Sequence, residues 1–169
     1  MKSSRFIKCP GCHAMVMDIE LPSHRYLGTV PGCWNIYGKV INQNKPAKES
    51  NMIRELIVDT YSIQHPGKES AVTKQSLAIH LIRLYFFFEQ NQSLGKLTFE
   101  AQKVFSNASH YHWLTPPKNL GKITIVDVFK CTDVNEQKEK VLIWAETTWF
   151  AWSKYHPIIK RWIQNGVKN

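Results

Sequence analysis

The chain has 169 residues, 43% of them hydrophobic, and six tryptophans, which is ample for a packed core and excludes a disordered tail. A formal net charge of +9 permits nucleic acid, an anionic surface or an acidic ligand as partner. The 22 basic residues are spread along the whole chain, however, which favours a solvated surface and leaves a non-specific nucleic-acid-binding module as a secondary reading.

This length fits a single domain over residues 1–169, divided into a cysteine-bearing, zinc-binding segment (1–34) and a helical bundle (35–169). Met1 to Lys8 carries charge, but no apolar run follows, so a secretory signal is not expected. Residues 1–34 read as irregular, because Pro10, Gly11, Pro22, Gly28, Pro31 and Gly32 interrupt any periodicity. A first helix is expected from about Cys33 to Asn42, followed by a polar loop from Asn44 to Ser50. Ser50 is placed to cap a second helix, "NMIRELIVDTYSIQ", which Pro66-Gly67 should end. The third helix, "SAVTKQSLAIHLIRLYFFFEQ", is apolar almost all round and reads as central and buried. His80 and Arg83 interrupt it, and it is too short to span a bilayer, so a soluble cytoplasmic protein is expected. "TFEAQKVFSNAS" suggests a fourth helix, "WLTPPKNLG" a loop, and "TIVDVF" is ambiguous between strand and helix. The last helix has a capping-box-like start at Asp133 and Glu136, then Trp144, Thr148 and Trp152 one turn apart. Pro157 should kink or restart it. The predicted fold is mainly α: a helical bundle with an irregular, zinc-knuckle-like N-terminal segment.

Chemistry concentrates first in the cysteines. Cys9-Pro10-Gly11-Cys12 is a tight turn that aims two sulfurs at one point. Zinc takes four thiolate or imidazole ligands in a tetrahedron, so a second source is required. Cys33, in "PGCW", offers a third thiolate, and His24, between Cys12 and Cys33, completes a Cys3His set for Zn2+. His13 adjoins Cys12, which strains joint ligation, and Cys131 lies far along the chain and reads as a buried free thiol. Zinc has two rivals: a thioredoxin-like redox pair, although no βαβ pattern surrounds the motif, and two unrelated buried cysteines that hold no metal. In a reducing compartment a structural disulfide is disfavoured.

A second set of polar residues sits among apolar ones. Asp59, His65, His80 and His156 are candidates for a convergent acid-base or second metal site, which would make the protein a metal-dependent, hydrolase-like enzyme with a pocket around Asp59, His65 and His80. The structural reading is that Asp59 pairs with Arg83, His80 is a hydrogen-bonded core histidine and His65 caps a helix end. It is the favoured one. The tryptophans at 144, 149, 152 and 162 read as core.

Taken in order, "CPGC", "HRYLGTVPGCW", "IVDTYSIQHPG", "SLAIHLIRLYFFFE", "HWLTPP" and "WAETTWFAWSKYH" resemble a family of uncharacterised bacterial proteins known only as a domain of unknown function. The resemblance implies a small bacterial cytoplasmic protein. It brings no established activity and no catalytic residue. It also implies a histidine at the position of Arg54, so any site using that histidine would be altered here.

Overall fold

The computed structural model describes residues 5–44, 51–92, 104 and 111–167. Two short strands, β1 (Phe6–Lys8) and β2 (Met15–Met17), pair antiparallel, with Phe6 opposite Met17, Ile7 opposite Val16 and Lys8 opposite Met15. The alternation of a strand turns Val16 inward, while Phe6, Met15 and Met17 stay exposed. Six α-helices follow among the described residues: α1 (Pro31–Gln43), α2 (Asn51–Gln64), α3 (Ala71–Glu89), α4 (Ile125–Lys130), α5 (Val134–Ala151) and α6 (His156–Val167). The mainly helical class read from the sequence therefore holds.

The differences are local. Residues 5–17 are a hairpin rather than irregular chain, because the turn between the cysteines joins two three-residue strands. The first helix begins at Pro31, two residues before Cys33, since proline's fixed φ and missing N–H suit a first helical position. Cys33 thus lies in a helix's first turn. "TIVDVF" resolves as helix: the Thr124 side chain accepts from Val126 N, and the Asp127 carboxylate accepts from Thr124 N at 2.8 Å. Asp133 caps α5, its carboxylate accepting from the Asn135 and Glu136 amides at 2.9 and 3.0 Å. Pro157 restarts the chain, with α5 ending at Ala151, a 3-10 turn at Ser153–Tyr155, and α6 opening one residue before the proline. The predicted cap Ser50 and the predicted fourth helix, apart from Val104, lie outside the described residues.

The central helix is α2, not α3. It packs against both α3 and α5, and Leu56, Ile57, Tyr61 and Ile63 are fully buried. Its polar residues disguise this, yet Asp59, Ser62 and Gln64 find partners inside, and the Thr60 hydroxyl alone of the four has none among the described residues. Gln64 donates to the carbonyls of Leu120 (3.0 Å) and Ile123 (2.9 Å) and accepts from Trp144 Nε1 at 3.1 Å. The four tryptophans at 144, 149, 152 and 162 are all buried, as expected of core residues. Burial of this size stabilises by about 2–3 kcal/mol per large side chain before entropy is counted.

Past α2 the chain turns at Gly67, whose φ of 73° lies in the left-handed region. A side chain here is both strained and obstructed, because its Cβ would meet the Tyr26 carbonyl oxygen. Gly67→Ala is expected to lower stability by about 2 kcal/mol, read as a lower urea midpoint at unchanged slope. An unchanged midpoint would contradict this account of the turn.

Candidate metal centre

The hairpin turn is held by Cys9 N donating to Ala14 O at 2.9 Å and His13 N donating to Cys9 O at 3.0 Å, with His13 at a φ of 63°. This leaves Cys9 and Cys12 facing inward. Helix α1 delivers Cys33 from its first turn, and the residue just past α2 delivers His65. The four donor atoms lie within 4.8 Å of one another, and all four residues are buried.

The spacing suits a tetrahedral metal. Zn–S bonds near 2.3 Å put two sulfurs about 3.8 Å apart, and a Zn–N bond near 2.05 Å puts sulfur and nitrogen about 3.5 Å apart. Cys12 Sγ and Cys33 Sγ are 3.8 Å apart, and Cys33 Sγ is 3.5 Å from His65 Nε2. His65 Nδ1 lies 2.8 Å from the Tyr61 carbonyl, which only accepts, so Nδ1 carries a hydrogen and Nε2 is the ring nitrogen turned to the cluster. Tyr61 OH donates to Cys33 Sγ at 3.5 Å and is itself 2.7 Å from Thr29 Oγ1. Gly11 lets the knuckle close on this group: a Cβ there would run into the His65 ring and come within 2.7 Å of the Gly28 carbonyl.

The electrostatics favour positive charge beside the sulfurs. Hydrogen bonds from Cys12 and then Cys33 hold the Cys9 thiol far below its usual range, and Cys33 and Cys9 push Cys12 far above it. Burial lowers His65, but hydrogen bonds to Cys33 and Cys9 outweigh it and raise the imidazole to about 9. Three sulfurs this close cannot all ionise in a buried site unless positive charge joins them. Among the described residues no lysine or arginine bonds to any of the three.

His24, the fourth ligand expected from the sequence, stands apart from this group. Its Nδ1 accepts from the Leu27 amide at 3.2 Å, and its ring packs edge-on against Tyr26 and Trp34. His65 occupies the fourth corner, because the turn after α2 carries it back to the knuckle, where Gly28 N donates to its carbonyl at 3.1 Å. Cys131 is half-exposed rather than buried, with its thiol near the Asp127 carbonyl at 3.5 Å.

The other candidates do not converge. Asp59, fully buried on α2, receives His80 Nδ1 at 2.7 Å and Arg83 Nε at 2.9 Å to both carboxylate oxygens. Arg83 Nη2 reaches Glu55 at 3.1 Å. His65 belongs to the cysteines instead, and His156 stacks on Trp149 with ring centroids 3.9 Å apart. Arg54 donates to the Ile41 carbonyl at 2.7 Å. A cleft of about 720 Å³ opens on the outer side of the knuckle, and Asp59, His80 and His156 are not among its lining residues.

No helix among the described residues is long and apolar enough to cross a membrane. A family model, DUF5946, described as a family of unknown function, matches residues 7–153. No curated protein and no solved structure matches the chain.

Proposed function

The chain belongs to DUF5946, a family of unknown function, and from the geometry of its cysteine cluster we propose that it is a zinc protein whose metal is structural. Cys9, Cys12, Cys33 and His65 are the proposed ligands, and Zn2+ would staple the N-terminal hairpin onto α1 and the end of α2. The observation that carries this reading is the pair of spacings, 3.8 Å between sulfurs and 3.5 Å from sulfur to nitrogen, in a buried four-donor set. Four protein donors complete a tetrahedron and leave no position for water, so the metal contributes folding energy rather than Lewis-acid chemistry. The reading includes a reducing, bacterial cytoplasmic setting, where thiolates stay available to metal.

Elemental analysis of untagged protein, purified without chelator, is expected to give about one zinc per chain. His65→Ala should cut this sharply, whereas His24→Ala should keep it, since the His24 ring contacts Tyr26 and Trp34 and not the sulfurs. Cobalt substitution adds an independent readout: thiolate-to-cobalt absorption should be strong in the parent and in His24→Ala. Loss of metal in His24→Ala, or full occupancy in His65→Ala, would overturn the ligand set.

A further inference from the structure

The cleft outside the knuckle has a charge character that the metal reading does not explain. It is shaped by four separate pieces of chain: the knuckle, the stretch Arg25–Gly28, the residues after α2, and the loop holding Pro116 to Lys118. Three of these pieces each contribute one cation, namely Arg25, Lys68 and Lys118. Among the described residues none of the three takes part in an ion pair. Glu69 is the one carboxylate in the lining. Three cations against one carboxylate leave the concavity with an excess of positive charge. His13, Ser70 and Thr73 add neutral polar groups to the wall, and Tyr26, Leu27, Pro116 and Pro117 supply apolar surface from two separate pieces of chain. At about 720 Å³ the cleft matches the size of small-molecule sites, and a few polar groups within an apolar wall are what such sites use to fix orientation.

We propose that this cleft binds a small organic anion, a phosphate or carboxylate carried on an apolar, ring-sized body. The cations from three segments would hold the anionic group, and the tyrosine and proline wall would cover the body. The knuckle contributes Pro10, Gly11 and His13 to the cleft, so an intact metal site is a condition of the test but not its subject.

The test is titration of metal-replete protein at low ionic strength with phenyl phosphate, phthalate and phenol, following amide shifts by NMR, with zinc content measured for every variant. At least one of the two anions should bind saturably, with shifts centred on Gly28, Gly67 and Lys118, and phenol should not. The tighter of the two identifies the anionic group as phosphate or carboxylate. The double variant Arg25→Glu/Lys118→Glu should weaken binding at least about tenfold, while Lys160→Glu, exposed on α6, should change it by less than about twofold. Equal weakening by both variants would mean that the overall positive field, not the cleft, attracts the anion, and would overturn the proposal. So would the absence of saturable binding by either anion in protein that retains its zinc.

Discussion

Cys33→Ser is expected to empty the metal site and to lower the melting temperature by about 10–15 °C, corresponding to about 4 kcal/mol or more for a chain of this size. Cys33 is fully buried, and its sulfur meets Cys12 Sγ, His65 Nε2 and Tyr61 OH. Serine shortens the side chain and exchanges a soft thiolate for a hydroxyl that stays protonated, so two sulfurs and an imidazole remain around a gap. Structural zinc in small peptides binds with about 10–16 kcal/mol of apparent free energy, all of it expressed as folding. The helical core here folds partly on its own contacts, so only a share of that figure should appear. The hairpin has little else to anchor it: Val16 is its one buried residue outside the cysteines. Circular-dichroism melting with parallel metal analysis reads the effect. Cys131→Ser, at a half-exposed position outside the cluster, should stay within about 0.5 kcal/mol of the parent. A Cys33→Ser protein with parental melting would show that the metal does not hold the hairpin.

The second large effect concerns the pair inside the bundle. Arg83→Met should cost about 3 kcal/mol and leave zinc content unchanged. Burial alone would lower Arg83, but the facing Asp59 and then Glu55 hold it charged. Removing it leaves the Asp59 carboxylate fully buried with His80 as its remaining side-chain partner. An uncompensated buried charge is the expensive state, whereas replacing both partners by apolar groups is often neutral. Asp59→Leu/Arg83→Met should therefore recover to within about 1 kcal/mol of the parent, its polar loss offset by added apolar contact between α2 and α3. Urea unfolding of the single and double variants measures both steps. A single variant costing under about 1 kcal/mol, or one that sheds zinc, would mean that the Asp59–Arg83 pair does not hold α2 to α3.

The element pattern was largely legible because it rests on local rules. Pro66-Gly67 after α2, Asp133 before α5 and Pro157 at the start of α6 each act through their own backbone. Their consequences do not depend on distant parts of the chain. "TIVDVF" was the exception among short segments, since six residues carry too little periodicity and only the reciprocal Thr124–Asp127 bonds decide for helix. The cysteines were legible for a different reason: two thiols around Pro-Gly are forced together by the turn itself, whatever the rest of the fold does.

By itself the sequence determined a helical bundle, a two-sulfur turn at Cys9 and Cys12, and a buried aspartate in need of an arginine. These follow from turn chemistry, helical spacing and the cost of burying charge. Tertiary structure alone decided which histidine closes the cluster. His24 is nearer in sequence, but its ring nitrogen is used by the Leu27 amide and its ring lies against Trp34. His65 stands 32 residues beyond Cys33, and only the packing of α2 against α1, with the turn after it set against the knuckle, brings its Nε2 to 3.5 Å from that sulfur. The same packing made α2 the central helix despite Asp59, Thr60, Ser62 and Gln64, because α3 supplies the partners of Asp59, α5 and the loop before α4 supply those of Gln64, and Ser62 turns back on the Val58 carbonyl of its own helix. Sequence distance sets which residues meet within a turn or a helix; across the bundle, the burial of apolar faces sets it.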